Sequence, residues 1–308
     1  MAKKFIIAID LGGTNLKIAL LDTRCRIKDK IILSTHRFSN KEMLISAISD
    51  SVDKIIKDNK LSKRDILGIG VGLAGLIDYE KGVVHFLPNI PGWKEVALKR
   101  ILERRLGLPV LLDNDVNLMS LAEYKMGAAK GSKNAICITL GTGVGAGIII
   151  NGSLYRGSSN AAGEIGHMPI NEKGPRCNCG GSACLEDYIG NSIVLKEAKG
   201  VFRRDISLEE LSCLAKRGDR RARAIWLKVA GRLSVALVGV TNLLNPDRIV
   251  IGGGVAGAGK ILFKNIRKII MQRAMSVQAG KVKVYKAKLG NNAGLIGAAI
   301  LVKHEAGR

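Results

Sequence analysis

Two segments of this chain follow the same plan, and their recurrence constrains the fold more than any other feature. Residues 6–22 read IIAIDLGGTNLKIALLD, and residues 135–151 read AICITLGTGVGAGIIIN. In each segment an apolar strand leads into a turn of Gly and Thr and then a second apolar strand, with too few residues between for a helical crossover. Each segment is therefore predicted to be a β-hairpin. Because the plan recurs about 130 residues later, we expect two domains of similar architecture.

The rest of the chain alternates between strand and helix patterns. Short apolar runs predict further strands at 66–71, 110–112, 248–251 and 282–284. Helical periodicity predicts helices at 41–57, 96–106, 116–126, 208–216, 221–244, 260–274 and 293–303. This alternation predicts sheets flanked by helices, that is, an α/β fold. We expect a smaller N-terminal domain of residues 1–117 with a C-terminal helix returning at 291–308, and a larger domain of residues 118–290.

The charge of the chain is strongly positive. It holds 49 Lys and Arg against 26 Asp and Glu, a net charge of +23, but the cations occur in ones and twos and aromatic residues make up 4% of the sequence. We therefore expect solvated helix faces and no nucleic-acid partner. The segment FIIAI near the N-terminus is too short for a signal peptide, and no apolar run approaches the roughly 20 residues of a membrane span. A cytoplasmic chain without a membrane partner is expected.

Three glycine-rich turns follow predicted strands: DLGGTN, LGTGVGAG and IGGGVAGAGK. Glycine lets backbone N–H groups approach phosphate oxygens, although a single such turn is more often just a tight hairpin. A P-loop is excluded because Ile261 stands where Ser or Thr must bind magnesium. A dinucleotide fingerprint is excluded because the strand-like GIII follows the second turn. We predict a phosphate cradle from two hairpin turns, one per domain, with Asp10 orienting Mg²⁺, usually through water. The predicted cofactor-binding residues are Asp10, Gly12, Gly13, Thr14, Asn15, Gly141, Thr142, Gly143, Gly145, Gly253 and Gly254.

A second polar site occurs in VLLDNDVNLMSLAEY, where a buried strand ends and a helix begins. Asp113, Asn114 and Asp115 stand at this junction, and open α/β sheets place ligand-binding groups at the carboxyl ends of their strands. The alternative is that an aspartate there merely caps the helix. We expect one of the three residues to be the cap, which leaves the others free for chemistry.

A cysteine-rich segment suggests a metal site. Four residues supply one nitrogen and three sulfurs, the ligand set of a closed tetrahedral zinc site: His167, Cys177, Cys179 and Cys184. In a reducing compartment, cysteines are thiols or metal ligands more often than disulfides. Since protein atoms would fill all four positions, we predict a structural zinc ion.

The same segment carries a resemblance. EIGH at 164–167, followed by C-x-C-G-x-x-x-C-L-E at 177–186, resembles the signature of the ROK family, which contains bacterial sugar kinases and related repressors. Further matching segments are DLGGTN at 10–15, GVGLAGLID at 70–78, LPNIPGW at 87–93, DNDVN at 113–117, GTGVGAG at 141–147, IGGG at 251–254 and NAGLIGAA at 292–299. Two positions depart from the family pattern. Ala74-Gly75 stands where Pro-Gly is frequent, and Ala183 stands where Gly usually precedes Cys184. Both replacements are small, so little effect on metal and sugar contacts is expected.

The resemblance implies two ribonuclease-H-like domains of the actin-like ATPase superfamily, with the active site in the cleft between them. It implies an ATP-dependent hexose kinase that uses Mg²⁺ and phosphorylates the 6-hydroxyl of the sugar, with glucose as the expected substrate. Asp115 is assigned as general base. The implied substrate-binding residues are Gly75, Asn89, Asn114, Asp115, Glu164, His167 and Glu186. One ring nitrogen of His167 would hold zinc and the other would face the sugar. A homo-oligomer, dimer or tetramer, is also expected.

Three alternatives stay open. N-acetylmannosamine and fructose kinases of the family share most of these motifs. A ROK-type sugar-responsive regulator would need a DNA-binding domain of some 60 or more residues before DLGGTN, where this sequence has nine residues, so it is disfavoured. Polyphosphate could replace ATP as a donor drawn to a basic groove. The resemblance favours ATP, because family members that use polyphosphate generally lack the cysteine block.

Overall fold

The computed structural model describes residues 4–88 and 90–307. These residues form two compact units. Unit 1 contains the chain up to Ala122, the segment Arg156–Ala162, and the chain from Asn291 onward. Unit 2 contains Glu123–Tyr155 and Gly163–Gly290.

Unit 1 is built on a five-stranded sheet. Its strands are β1 (Phe5–Leu11), β2 (Asn15–Asp22), β3 (Ile27–Ser34), β4 (Ile66–Leu73) and β8 (Val110–Asn114), hydrogen-bonded in the order β3-β2-β1-β4-β8. The first three are antiparallel, and β4 and β8 run parallel to β1. A second small sheet consists of β5 (Leu76–Asp78), β6 (Val83–Phe86) and β7 (Lys94–Val96). The helices are α1 (Lys41–Asp58), α2 (Leu98–Leu106), the first turns of α3 (Asp115–Met126), and α10 (Ala293–Ala306).

Unit 2 repeats the same sheet. Its strands are β9 (Ala135–Leu140), β10 (Val144–Ile150), β11 (Ser153–Tyr155), β12 (Arg248–Gly253) and β13 (Lys283–Lys286), in the order β11-β10-β9-β12-β13. The antiparallel and parallel pairings correspond strand for strand to those of unit 1. Its helices are α4 (Glu186–Ile189), α5 (Asn191–Phe202), α6 (Leu208–Lys216), α7 (Arg220–Leu244), α8 (Lys260–Arg273) and α9 (Ser276–Lys281). The two hairpins predicted from the sequence are thus the first two strands of each sheet.

Small residues allow α10 to lie against the sheet of unit 1. A Cβ atom on Gly70 of β4 would lie 2.2 Å from the Ala298 carbonyl oxygen. A Cβ atom on Gly297 would lie 1.9 Å from the carbonyl oxygen of Leu118 in α3. Backbone therefore touches backbone on both sides of α10, which explains physically why its sequence is rich in Gly and Ala.

The boundaries of the units differ from the predicted division at residue 117. The start of α3 belongs to unit 1 because Leu118 packs against Gly297 of α10. The segment Arg156–Ala162 also belongs to unit 1, and Arg156 bonds there to Asp113. Neither contact has a signal in local periodicity.

One helix, α7, is long and apolar enough to cross a membrane by length and composition alone. Eleven of its residues are nevertheless buried within the protein, and the Trp226 side chain is among the largest fully buried groups. These buried residues pack in the core of unit 2 with apolar residues of its sheet, so α7 is the central helix of that core.

Candidate functional site

Unit 1 holds two carboxylates near the ends of its strands. Asp10 is the penultimate residue of β1 and is buried, while Asp115 begins α3 directly after β8 and is partly exposed. Desolvation of its carboxyl group, followed by the negative charge of Asp10, raises the pKa of Asp115 to about 7. A carboxylate with this pKa can accept a proton near neutral pH, as a general base must.

Asp10 is itself held by a cation. The Lys17 Nζ atom lies 2.8 Å from Asp10 Oδ2 and also donates to the Asn291 carbonyl oxygen at 3.1 Å. Asp10 and Lys17 are directly opposite each other on β1 and β2. On the other side, a Cβ atom on Gly294 of α10 would lie 2.8 Å from Asp10 Cγ. The carboxylate is therefore fixed between a lysine and the first turn of a helix, beside the first glycine-rich turn.

Asn114 is the residue that caps α3. Its Oδ1 atom accepts from the backbone N–H of Val116 at 2.9 Å and of Asn117 at 3.3 Å. Its Nδ2 atom donates to the Gly75 carbonyl oxygen at 3.1 Å. Gly75 is itself tightly packed, because a Cβ atom there would lie 2.3 Å from the Phe86 carbonyl oxygen. Asn114 and Gly75, both predicted to bind substrate, thus have clear structural roles.

Asp113 pairs with an arginine that is distant in sequence. Arg156 donates to Asp113 Oδ2 through Nε at 3.0 Å and Nη2 at 2.6 Å. The other Asp113 oxygen accepts from Asn114 N at 2.8 Å and Asn117 Nδ2 at 2.9 Å. The Arg156 guanidinium also lies 3.8 Å from the centre of the Tyr79 ring. Asp113 lies two residues before Asp115 and is almost completely buried. Its carboxylate therefore needs a positive partner, and the Arg156 guanidinium is that partner.

The turn after β1 is open enough for a ligand. Gly12 N donates to the Asn15 carbonyl oxygen at 3.0 Å, and Thr35 bonds to the carbonyl oxygens of Gly12 and Thr14. Thr14 and Asn15 are exposed, and Gly13 is half-buried. A methyl group on Gly12 would meet nothing closer than 3.8 Å, so packing within the protein does not account for glycine at this position.

The glycines predicted in unit 2 fall into different classes. A Cβ atom on Gly141 would have no neighbour closer than 4.0 Å, and the adjacent Thr142 is exposed. A Cβ atom on Gly143 would lie 2.7 Å from Glu186 Oε2. Gly145 lies within β10, opposite Thr139, rather than in the turn. Gly253, with φ of +84°, would place a Cβ atom 2.1 Å from the Leu140 carbonyl oxygen.

Gly254 completes the third turn and lies against a side chain of α5. Its Cβ position is 3.3 Å from Asn191 Nδ2 and 3.1 Å from Leu208 Cδ1. Gly253 is thus explained by its left-handed φ and its contact with the Leu140 carbonyl oxygen. Gly254, which follows β12, is close only to side-chain atoms, and Gly141 is not explained by packing.

Strand β10 organises the remaining predicted sugar-binding residues. The Val144 N–H donates to Glu186 Oε2 at 2.7 Å, directly after the glycine-rich turn. A Cβ atom on Gly166 would lie 2.1 Å from the Val144 carbonyl oxygen, so the segment containing Glu164 and His167 packs on the same strand. His167 Nε2 is 3.9 Å from Glu164 Oε2. The first residue of β10 therefore holds the Glu186 carboxylate and contacts the backbone of the segment that carries Glu164 and His167.

The cysteine-rich segment brings its four predicted ligands together. The ligand atoms of His167, Cys177, Cys179 and Cys184 all lie within 4.8 Å of one another. His167 Nδ1 is 3.6 Å from Cys177 Sγ, and Cys179 Sγ is 3.7 Å from Cys184 Sγ. Tetrahedral zinc, with Zn–S of about 2.3 Å and Zn–N of about 2.0–2.1 Å, requires separations of roughly 3.5–3.8 Å between its ligands. The donor set fits such an ion, and so do the separations of 3.6 Å and 3.7 Å.

The three thiols differ in how readily they ionise. Burial raises the pKa of Cys177 and of Cys184, whereas a backbone hydrogen bond from Gly181 lowers the pKa of Cys179. Cys179 is therefore the most readily ionised thiol of the cluster, and metal binding would displace the protons of the thiols that are still protonated. Ala183, just before Cys184, has φ of +57°, a left-handed conformation that is strained for a residue with a Cβ atom. Ala in place of Gly at this position thus adds backbone strain, which the small size of the alanine side chain does not reveal.

Asn89, predicted to contact substrate, lies outside the described residues. Conversely, sequence reasoning missed Lys17 and Arg156. The pairing of Lys17 with Asp10 could have been predicted. In a hairpin with a two-residue turn, residues that are equally far from the turn lie opposite each other on the two strands. Arg156 had none, since its partner Asp113 is 43 residues away and in another predicted domain.

Comparisons with known proteins agree with this arrangement. The profile of the ROK family matches residues 6–305. A glucokinase of Halalkalibacterium halodurans is 36% identical, over 99% of this chain and 97% of its own length. The crystal structure of a ROK family glucokinase from Streptomyces griseus, in complex with glucose and AMPPNP, has a TM-score of 0.84 and 31% identity, with 97% of this chain and 99% of that chain covered.

A regulator is also similar in structure. The crystal structure of a ROK family transcriptional regulator, a homologue of the E. coli MLC protein, has a TM-score of 0.91 and 26% identity, over 98% of this chain and 78% of that chain. The predicted fold class, with its two ribonuclease-H-like domains, is confirmed by these neighbours and by the duplicated sheet. This chain belongs to the ROK family, because the family profile matches almost all of its residues and a relative is 36% identical over nearly the whole length.

Proposed function

We propose that this chain is an ATP-dependent hexose kinase that transfers the γ-phosphate of ATP to the 6-hydroxyl of a hexose, with glucose as the first candidate. The observation that carries the proposal is Asp115, a partly exposed carboxylate at the end of β8 whose pKa is raised to about 7. Similarity to glucokinases, one of them solved with glucose and an ATP analogue, supports the substrates.

In the proposed reaction Asp115 accepts the proton of the attacking hydroxyl group. Phosphoryl transfer depends mainly on positioning and charge stabilisation, so a well-placed base and a phosphate-binding turn are the contributions expected of the protein. Asp10 would orient Mg²⁺ through water, and Lys17 would balance the charge of Asp10 when the metal is absent. Magnesium, when bound, neutralises the charge on the transferring phosphate.

The turns of the two hairpins are proposed to bind ATP. Gly12 and Gly141 are the best supported phosphate-binding positions, because a Cβ atom on either would have no close neighbour within the protein. Backbone N–H groups in such turns can approach phosphate oxygens directly. Thr14, Asn15 and Thr142 are exposed at the same turns and are proposed to line the site.

Glu164, His167, Glu186 and Asn114 are proposed to bind sugar hydroxyl groups, with Asn89 as a further contact. Carboxylate and amide groups suit sugars because they form directional hydrogen bonds with hydroxyl groups. The Cys and His cluster is proposed to hold a structural zinc ion through His167 Nδ1, which leaves Nε2 free on the side of Glu164. Because Glu186 follows Cys184 by two residues, the metal would also fix the start of α4.

We further propose a cytoplasmic homo-oligomer that does not bind nucleic acid. The alternative function is a sugar-responsive regulator, which the similarity to a transcriptional regulator makes worth testing. Such a protein would bind a hexose without phosphorylating it.

A coupled assay over a panel of hexoses tests the proposal. Purified protein is incubated with ATP and Mg²⁺ and with glucose, fructose, mannose or N-acetylmannosamine in turn, and ADP release is measured. The highest kcat/KM is expected for glucose. A parallel series with polyphosphate at increasing salt tests the donor, since attraction to a basic groove should be screened by salt. Hexose binding detected by calorimetry without any turnover would favour the regulator instead.

A further inference from the structure

One face of unit 2 carries charge of a single sign. From Arg248 through Gly290, within unit 2, the sequence contains ten Lys and Arg residues and no Asp or Glu. This stretch includes α8, α9 and the edge strand β13, and α8 packs against both of the other elements. We call the outer surface of these three elements, together with the end of α7, the basic face.

The cations of the basic face are mostly exposed. Eight of them on its helices and on β13 are solvent-exposed: Lys260, Lys264, Arg267, Lys268, Arg273, Lys281, Lys283 and Lys286. Among the residues that the structure describes, no salt bridge joins any of these eight to a carboxylate. By contrast, cations elsewhere in the chain, such as Lys54 and Lys228, are paired. Arg267 donates to the Val284 carbonyl oxygen, and the exposed Asp247 lies next to Arg248 in the chain. Since no carboxylate of the described residues is paired with the eight cations, the face presents a positive field.

Large apolar side chains protrude from the same face. Leu243 is 82% exposed, Met271 61%, Met275 64% and Val277 71%. The Met275 N–H donates to Asn242 Oδ1 at 2.9 Å, which joins the start of α9 to the end of α7 beside Leu243. Met271 also lines a groove of about 310 Å³ between α8 and β13. Apolar groups are thus clustered among the cations rather than scattered over the surface.

This combination limits what the basic face can bind. A second copy of the chain would bring the same positive field against itself, which is unfavourable. Nucleic acid would satisfy the cations, but its phosphates gain nothing from Leu, Met and Val. The aromatic residue of the face, Tyr285, already lies under the Arg248 guanidinium at 5.5 Å. An anionic bilayer offers continuous negative headgroups with hydrocarbon just beneath them, which suits both parts of the face.

We propose that the basic face docks on the surface of an anionic lipid bilayer, with Met271, Met275 and Val277 entering the boundary between headgroups and acyl chains. The surrounding Lys and Arg side chains contact lipid phosphates. The proposal departs from the expectation, drawn from the sequence, of a chain without a membrane partner. The docking it describes is peripheral, reversible and salt-dependent. The proposal does not rest on kinase activity, because lipid binding is measured without sugar or nucleotide.

Vesicle co-sedimentation tests this proposal with the full chain. Vesicles of phosphatidylcholine alone are compared with vesicles that also contain about 30% phosphatidylglycerol, a composition that supplies the negative surface potential. Binding is expected to the anionic vesicles at about 0.1 M salt and to be largely lost near 1 M, where the screening length falls to about 3 Å. Equal binding to both vesicle types, or none to either, would overturn the proposal.

Two variants localise the interaction. Charge reversal of Lys264, Lys268 and Lys281 to Glu should weaken binding at least 100-fold, since each headgroup-facing cation contributes roughly fivefold. The matched control reverses three exposed cations of unit 1: Lys57→Glu, Arg64→Glu and Arg100→Glu. It has the same net charge and should retain most of the binding. If the control loses as much as the variant, overall charge rather than the basic face is responsible.

The apolar part is tested separately. The triple variant Met271→Ser, Met275→Ser and Val277→Ser keeps every charge and should weaken vesicle binding about tenfold or more. The control Ile32→Ser and Met43→Ser changes exposed apolar residues of unit 1 and should leave binding unchanged. Circular dichroism melts establish that all variants fold.

Two further results would assign the basic face to another partner. Binding to duplex DNA that is lost in the charge-reversal variant, without binding to anionic vesicles, would assign it to nucleic acid. Self-association in sedimentation velocity that the triple Ser variant abolishes would assign it to a second copy of this chain.

Discussion

The two units share one sheet topology but place different chemistry at the same point of it. In unit 1 the residue just before the end of the first strand is Asp10, which faces Lys17 on the second strand. The equivalent position in unit 2 is Thr139, which faces Gly145. The shared fold therefore sets where the turn lies, and the side chains at that position determine whether the turn is charged.

The units also differ in how they hold their carboxylates. In unit 1, cations do so: Lys17 holds Asp10 and Arg156 holds Asp113. In unit 2, Glu186 is held by a backbone N–H of β10 and by its closeness in sequence to Cys184. Unit 1 is thus built to tune charge near Asp115, whereas unit 2 is built to fix groups in place. Loss of charge in unit 1 should affect turnover, and loss of the cluster in unit 2 should affect substrate affinity.

The largest effect is expected for Asp115→Asn. The amide cannot accept a proton, so kcat for glucose at pH 8 should fall about 10²–10⁴-fold, the usual contribution of a general base. Stability should not fall, because the substitution removes a desolvated charge and an amide oxygen can still accept from the Val116 N–H, as Asp115 Oδ1 does at 2.9 Å. Parallel measurement of kcat and melting temperature checks this. Near-normal turnover would mean that another group is the base.

Arg156→Ala should be next in size. It leaves the buried Asp113 carboxylate without its cation, which costs about 3 kcal/mol of stability by analogy with broken buried pairs. We expect kcat to fall about 10–100-fold because Asp113 immediately precedes Asn114 and Asp115. The double variant Arg156→Ala with Asp113→Asn removes the unpaired charge and should recover much of the stability and of kcat. If the double variant is no better than Arg156→Ala, Asp113 does not mediate the effect.

Cys184→Ser should act differently. Removal of one ligand should release the metal, which elemental analysis would detect as a loss from about one zinc per chain. Because the cluster fixes Glu186 and His167 rather than Asp115, KM for the sugar should rise about tenfold or more, with a smaller fall in kcat. The control Cys213→Ser changes an exposed cysteine outside the cluster and should be silent. A pure kcat effect would contradict the division of roles between the units.

Gly141→Ala should have the smallest effect and separates ligand binding from packing. Its added methyl group has no protein neighbour closer than 4.0 Å, so stability should be nearly unchanged while KM for ATP rises about three- to tenfold. Gly143 is a poorer probe, because a side chain there would first displace Glu186 and disturb both substrates. If KM for ATP is unchanged in Gly141→Ala, the turn is only a hairpin.

Sequence patterns predicted the fold wherever periodicity was strong. The hairpins, β12 and helix α6 lie where apolar spacing indicated. Strand β3 was missed because its side chains alternate between half-buried and exposed and include three charges, so it reads as a polar surface segment. Helix α5 was missed because Gly200 interrupts its pattern near the end. The short strands of the small sheet, such as β5, are too brief for any period to register.

For the site, local motifs predicted which residues cluster along the chain but not which ones pair across it. The spacing of the cysteines was sufficient to predict the Cys and His cluster, because its ligands come from one loop. Asp115 was identified from a strand end, but its raised pKa depends first on desolvation of its carboxyl group and then on the charge of Asp10, about 100 residues earlier. Likewise the strain at Ala183 depends on a backbone angle that no residue pattern reveals.

The pH dependence of kcat/KM for glucose tests the central claim most directly. Because the pKa of Asp115 is raised to about 7, the carboxyl group is protonated below that pH and cannot act as a base. At Mg²⁺ and ATP concentrations well below saturation, where the metal-free protein is the titrating species, kcat/KM should therefore fall about tenfold per pH unit below pH 7 and level off above it. In Asp115→Asn this step should be absent from the residual activity. A wild-type profile that stays flat from about pH 5.5 to 8, or an unchanged step in the variant, would contradict Asp115 as the general base.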